Sequence, residues 1–106
     1  MAENISVACA DGCAKITLTG RLDASSAPAL QEELKKLIGQ KINKLVFFAN
    51  DLEYISSAGL RVIIFAKQKI GADAKVYFIG GQDAVVSVIK MSGLDNFMDI
   101  QPVFNG

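Results

Sequence analysis

Residues 51–62, Asp-Leu-Glu-Tyr-Ile-Ser-Ser-Ala-Gly-Leu-Arg-Val, join a strand-like apolar run to a helix-like one through two adjacent hydroxyls, Ser56 and Ser57. A serine just before a helix can accept a hydrogen bond from the free N–H groups of the first turn and cap it. The same hydroxyl can instead carry a phosphoryl group. Unpaired N–H groups and the positive end of the helix dipole would then meet the added negative charge, and the scaffold could accept it without unfolding. Residue types alone leave both roles open. Arg61 falls in the first turns of the same helix, either as a solvated charge or, beside Ser57, as a contact for a partner.

The flanking runs have to place these groups. Residues 45–49, Leu-Val-Phe-Phe-Ala, are short and rich in β-formers, and they stop at Asn50-Asp51, which predicts a central strand buried on both faces. Residues 58–70 contain no Pro and one early Gly, and their apolar residues almost encircle a helix, which predicts that protein largely covers it. Upstream, 5–10 and 13–19 read as a β-hairpin around Asp11-Gly12, with Lys15, Thr17 and Thr19 alternating against Ile16 and Leu18. Ser25-Ser26-Ala27-Pro28 opens a helix with Leu30, Leu34, Leu37 and Ile38 at helical spacing, Glu32 paired to Lys36 outside, and Gly39 as its stop. Downstream, Gly71 closes the second helix and 75–79 form a strand. Asp83 caps a third helix with Val85, Val88 and Ile89 inward and Val86 beside them. Gly93 ends it in the left-handed position, and 97–100 form a short last strand.

The order β-β-α-β-α-β-α-β predicts a single α/β domain over residues 1–106 with a mixed, largely parallel sheet. The loops after the second and third strands then open at the same sheet edge, so Asp23 and Ser57 are expected near each other.

The remaining inventory is poor in catalytic groups. Histidine is absent, which excludes a Ser-His pair, a His general base and imidazole metal ligands. Asp51 and Glu53 read as a solvated loop pair, Gly80-Gly81 as a turn, and Met91 and Met98 as core or edge packing. Eleven basic and eleven acidic residues cancel without a run of either sign, so neither nucleic acid nor an anionic membrane surface is an expected partner. Apolar runs fall far short of the roughly 20 residues that span a bilayer, and the first residues lack the features of a signal peptide; cytoplasmic is the expected location. There Cys9 and Cys13 are expected to be reduced. A two-residue turn at Asp11-Gly12 puts their thiols on opposite faces, whereas a three-residue loop would put them opposite each other.

Tyr-Ile-Ser-Ser-Ala-Gly-Leu-Arg-Val at 54–62 resembles the signature of STAS domains, specifically the single-domain bacterial anti-sigma factor antagonists. Gly20-Arg21-Leu22-Asp23 is similar to the family's Gly-x-Leu-Asp, and Met91-Ser92-Gly93-Leu94 to its segment after the third helix. The resemblance implies a STAS-like sheet, with Ser57 as the residue that a partner kinase phosphorylates. Two positions depart from the pattern. Ser56 stands where sporulation-type antagonists often carry Asp, although the Ser-Ser-Ala-Gly-Leu-Arg form also occurs widely in the family. Phe48 stands where many relatives carry Asp or Asn, which would remove a polar neighbour of the site. Most antagonists also have a further C-terminal helix, for which residues 101–106 leave no room.

Together these readings describe a non-enzymatic switch module with no cofactor and no metal. Its unmodified form binds a partner through Asp23, Asp51, Tyr54, Ser56, Gly59 and Arg61, and its Ser57-phosphorylated form does not. The resemblance implies an anti-sigma factor with Ser/Thr kinase activity as that partner, a released sigma factor and regulated transcription as the output, and a PP2C-type phosphatase as the reset. A homodimer is compatible with it. The first rival is a STAS-like adaptor in a lipid-transport or signalling complex, with Ser57 only a cap. The second, a small hydrolase or nucleotide-binding protein, lacks the residues.

Overall fold

The computed structural model describes residues 5–70 and 74–102. Its elements are β1 (Ile5–Ala10), β2 (Cys13–Leu22), α1 (Ala27–Lys35), β3 (Lys44–Ile55), α2 (Ser57–Lys69), β4 (Lys75–Ile79), α3 (Asp83–Met91), a 3₁₀ turn (Leu94–Asn96) and β5 (Asp99–Gln101). The five strands form one sheet in the order β1-β2-β3-β4-β5. β1 is antiparallel to β2 and every later pair is parallel. The mixed, largely parallel sheet matches the alternating pattern of helices and strands. The Gly71 stop and residues 103–106 lie outside the described residues.

At the hairpin, Asp11 (φ 52°) and Gly12 (φ 79°) both take positive φ, as a type I′ turn requires. Ala10 pairs with Cys13 and Cys9 with Ala14, so the two free thiols stand on opposite faces. Leu45, Phe47 and Ala49 of β3 point into one continuous core with Ile16 and Leu18 of β2 and Phe78 of β4. Leu30 and Leu34 of α1, Val62, Ile63 and Ala66 of α2, and Val85 and Ile89 of α3 close the same core. The three helices therefore cover one face of the sheet. On the other face Lys15 and Thr17 are exposed, while Val46 and Ile79 are buried.

β3 does not stop at Asn50-Asp51 but runs on to Ile55, so Asp51 and Glu53 are strand residues, not a loop pair. Two bulges account for this. β2 advances from Thr17 to Thr19 while β3 advances from Phe48 to Asp51, and from Gly20 to Arg21 while β3 advances from Leu52 to Tyr54. Each bulge puts one extra residue in β3, so the inward positions step from Ala49 to Leu52 to Ile55 and the alternation of a regular strand is lost.

α2 buries Gly59, Val62, Ile63 and Ala66, and Leu60, Ile64 and Phe65 pack partly buried against the same core, so protein largely covers it, as its composition predicts. Other expectations shift. α1 ends at Lys35, and the outer pairs are Glu32–Lys35 and Glu33–Lys36, each one position shorter than an i,i+4 pair. Ile38 is exposed beyond that end. Gln82, not Asp83, is the N-cap of α3, which has no side-chain cap. Gly93 takes the left-handed conformation (φ 83°) and Leu94 is buried behind it, as expected. Met98 packs in the core but Met91 is exposed.

Candidate functional site

The two serines divide the work that the sequence leaves open to either. Ser56 is extended (φ −98°, ψ 175°) and is the N-cap of α2; its Oγ accepts from the Gly59 N–H at 3.4 Å. Its own N–H donates to the Leu22 carbonyl at 2.9 Å, which fastens the start of α2 to the end of β2. Ser57 is the first helical residue and is exposed, and its hydroxyl has no hydrogen-bond partner among the described residues. One serine holds the helix and the other is left exposed.

Gly59 is needed for close approach. A Cβ there would lie 2.8 Å from the Leu22 carbonyl oxygen, 2.9 Å from Ile55 Cγ1 and 2.9 Å from Leu22 Cγ, closer than carbon atoms pack. Only a residue without a side chain lets α2 start directly against the ends of β2 and β3.

Asp23 follows Leu22 and organises the turn into α1. Its Oδ1 accepts from Ser25 Oγ at 2.7 Å, from the Ser25 N–H at 3.0 Å and from the Ser26 N–H at 3.3 Å. Ser26 Oγ accepts from the Asp23 N–H at 3.0 Å and donates to the Arg21 carbonyl at 2.7 Å. The hydrogen bonds from Ser25, chiefly its hydroxyl and then its N–H, hold the Asp23 carboxyl below its ordinary pKa, with smaller help from the Ser26 N–H and the Arg21 guanidinium. Ser26, the residue preceding α1, is thus turned back into this loop and makes no side-chain cap. An Asp two and three residues ahead of Ser25 and Ser26 is the signal for such a turn.

Arg21 lies over the Tyr54 ring, 4.3 Å from its centroid, with Nε 3.6 Å from Asp23 Oδ2. The second bulge sets Arg21 and Tyr54 opposite each other in register. This stack was not foreseen from the sequence, because it depends on that bulge. Tyr54 remains 41% exposed.

Arg61 is exposed one turn along α2 from Ser57 and has no ion pair or hydrogen bond among the described residues. With Ala58 and Val62 it forms one wall of a groove of about 340 Å³ between α2 and α1; Ala27, Pro28 and Glu32 lie on the other.

The structure thus gathers Asp23, Tyr54, Ser56, Ser57, Gly59 and Arg61 at the C-terminal ends of β2 and β3. Asp51 is not among them. It sits in β3 opposite Thr19, five residues before Ser56, which is about 16 Å of strand. Phe48 is farther still, opposite Thr17 and Ile79, roughly 20 Å or more along the strand from the cap. It is no neighbour of the serines, and the expected loss of a polar group beside the site does not arise. Among the described residues no cluster of potential metal ligands occurs, and no helix is long and apolar enough to cross a membrane.

The chain is similar to known proteins. RsfB, the anti-sigma-F factor antagonist of Mycobacterium tuberculosis, is 27% identical over 95 residues, covering 88% of this chain and 78% of RsfB. BtrV of Bordetella bronchiseptica is 32% identical over 96 residues, covering 90% of this chain and 80% of BtrV. The crystal structure of an anti-sigma factor antagonist from Mycobacterium paratuberculosis superposes with a TM-score of 0.83 at 23% identity, covering 95% of this chain and 86% of that one. The phosphorylated form of the Bacillus cell fate determinant SpoIIAA superposes with a TM-score of 0.72 at 16% identity, covering 91% and 89%. At such identities the structural matches establish the fold alone. The family model of the STAS domain matches residues 4–105, so that the sheet, the helix seated on the ends of β2 and β3 and the serine pair at its start are those of a protein that belongs to the STAS domain family.

Proposed function

We propose that the protein is an anti-sigma factor antagonist, a binding module rather than an enzyme, that is switched at Ser57. In this reading the unmodified form binds an anti-sigma factor with Ser/Thr kinase activity and so frees a sigma factor. Phosphorylation then ends the binding, and a PP2C-type phosphatase resets it. The supporting observation is the division between the serines: Ser56 caps α2, so the exposed Ser57 hydroxyl can be modified without loss of the cap. The name of RsfB and the existence of SpoIIAA in a phosphorylated form support the same reading. In the transfer, Ser57 Oγ attacks the γ-phosphorus of ATP, the hydroxyl proton passes to a base of the kinase, and ADP leaves. All catalytic groups come from the partner.

The test is phosphate mapping by mass spectrometry after incubation with ATP and the anti-sigma factor kinase recovered with the protein from its native cell. One phosphate should be added to the wild type and to Ser56→Ala, and none to Ser57→Ala. Phosphate on Ser56, or phosphate that persists in Ser57→Ala, would overturn the assignment.

A further inference from the structure

The residues gathered at the ends of β2 and β3 include two guanidinium groups, and the structure treats them differently. Arg21 is engaged on two sides, by the Asp23 carboxylate and by the Tyr54 ring. Arg61 has no such partner among the described residues and is exposed, four residues after Ser57 on the same face of α2. Side chains at i and i+4 lie about 5 to 6 Å apart at Cβ, and an anion N-terminal to a cation is the favourable order. The other charged groups around the site do not compete. Glu32, across the groove, is paired with Lys35, Asp23 is occupied by its own turn, and Asp51 and Glu53 lie upstream in β3. The first turn of α2 contains no acidic residue.

Resting on the assignment of Ser57 as the modified residue, we infer that Arg61 is the internal counter-ion of phosphorylated Ser57. The unmodified protein presents a free cation at the mouth of the α1–α2 groove. After phosphorylation that cation is drawn back along α2 onto the phosphate. The switch therefore removes a positive contact from the partner as well as adding a negative one. It also selects Arg61, and not the already paired Arg21, as the residue that couples modification to the groove.

The test uses the full chain with phosphoserine installed at position 57 during translation, so that no kinase is required. Phosphorus NMR follows the second ionisation of the phosphate with pH at low salt, and amide spectra verify the fold of each variant. A paired guanidinium favours the dianion, so the midpoint should lie about 0.3 pH unit lower in the wild type than in Arg61→Gln. Arg61→Lys should recover part of that shift, Arg21→Gln should leave the wild-type value in place, and molar salt should abolish the difference. Equal midpoints for the wild type and Arg61→Gln, or a larger change in Arg21→Gln, would overturn the inference. Either result would leave the phosphate-mapping test of Ser57 itself unaffected.

Discussion

Ser56 and Ser57 are chemically identical neighbours, and one backbone step separates their roles. Ser56 is extended, so its Oγ can turn back over the first turn of α2; Ser57 is already helical, and its side chain leaves the axis into solvent. The consequence for stability is unequal. Ser56→Ala should cost about 1 kcal/mol, the usual value of a lost N-cap. Ser57→Ala should stay within about 0.5 kcal/mol of wild type, as a substitution at an exposed position with no partner does. Urea midpoints of the two variants measure this directly. Equal losses would mean that both hydroxyls support the helix and that Ser57 is not free. The sequence could not make this distinction, since it depends on a helix boundary known from pattern only to a few residues.

At the scale of elements, α2 and β3 hold the lesson about what was legible. The motif, the order of elements and β4 at residues 75–79 could be read from residue types, because turn residues and apolar runs coincide there. The far half of β3 could not. Two bulges move its inward positions to Leu52 and Ile55, a spacing of three, which has the look of an irregular loop. The charges at Asp51 and Glu53 fit a solvated loop equally well, although in the structure they line an exposed side of the strand. In α2 the reading holds: apolar residues all round predict a largely covered helix, with Val62, Ile63 and Ala66 buried and Leu60, Ile64 and Phe65 partly buried against the core. The two sides should respond differently to truncation. Ile63 is fully buried, and Ile63→Ala should destabilise by about 2 to 5 kcal/mol because the surrounding core only partly relaxes into the cavity. Leu60 packs on the core from a partly buried position, and Leu60→Ala should cost about 1 kcal/mol or less. Similar losses in urea melts would show that α2 is enclosed on both sides.

At the scale of the whole molecule, the proposed switch needs a charge at Ser57 to control binding without disturbing the fold, and the position of Ser57 is suited to that. The core lies between the sheet and its three helices, while Ser57 stands at the rim where β2 and β3 end. A phosphate there adds about −1.5 to −2 charges at neutral pH, next to the positive end of the α2 dipole, where a negative charge is favourable by about 0.3 to 1 kcal/mol. At a packed interface the same charge has to be desolvated, and each 1.4 kcal/mol lost is a factor of ten in affinity. Ser57→Asp should accordingly bind the anti-sigma factor at least roughly tenfold more weakly than wild type while its urea midpoint stays within the range of a tolerated surface change. Ser57→Ala, which adds no charge and removes no cap, should bind like wild type. Calorimetric titration of both variants into the partner, with melts of each alone, separates a switch from a folding defect. Equal affinities of two folded variants would remove electrostatics from the mechanism. A weakened Asp form with an unchanged midpoint would place the switch at the rim, because the core would have been left intact.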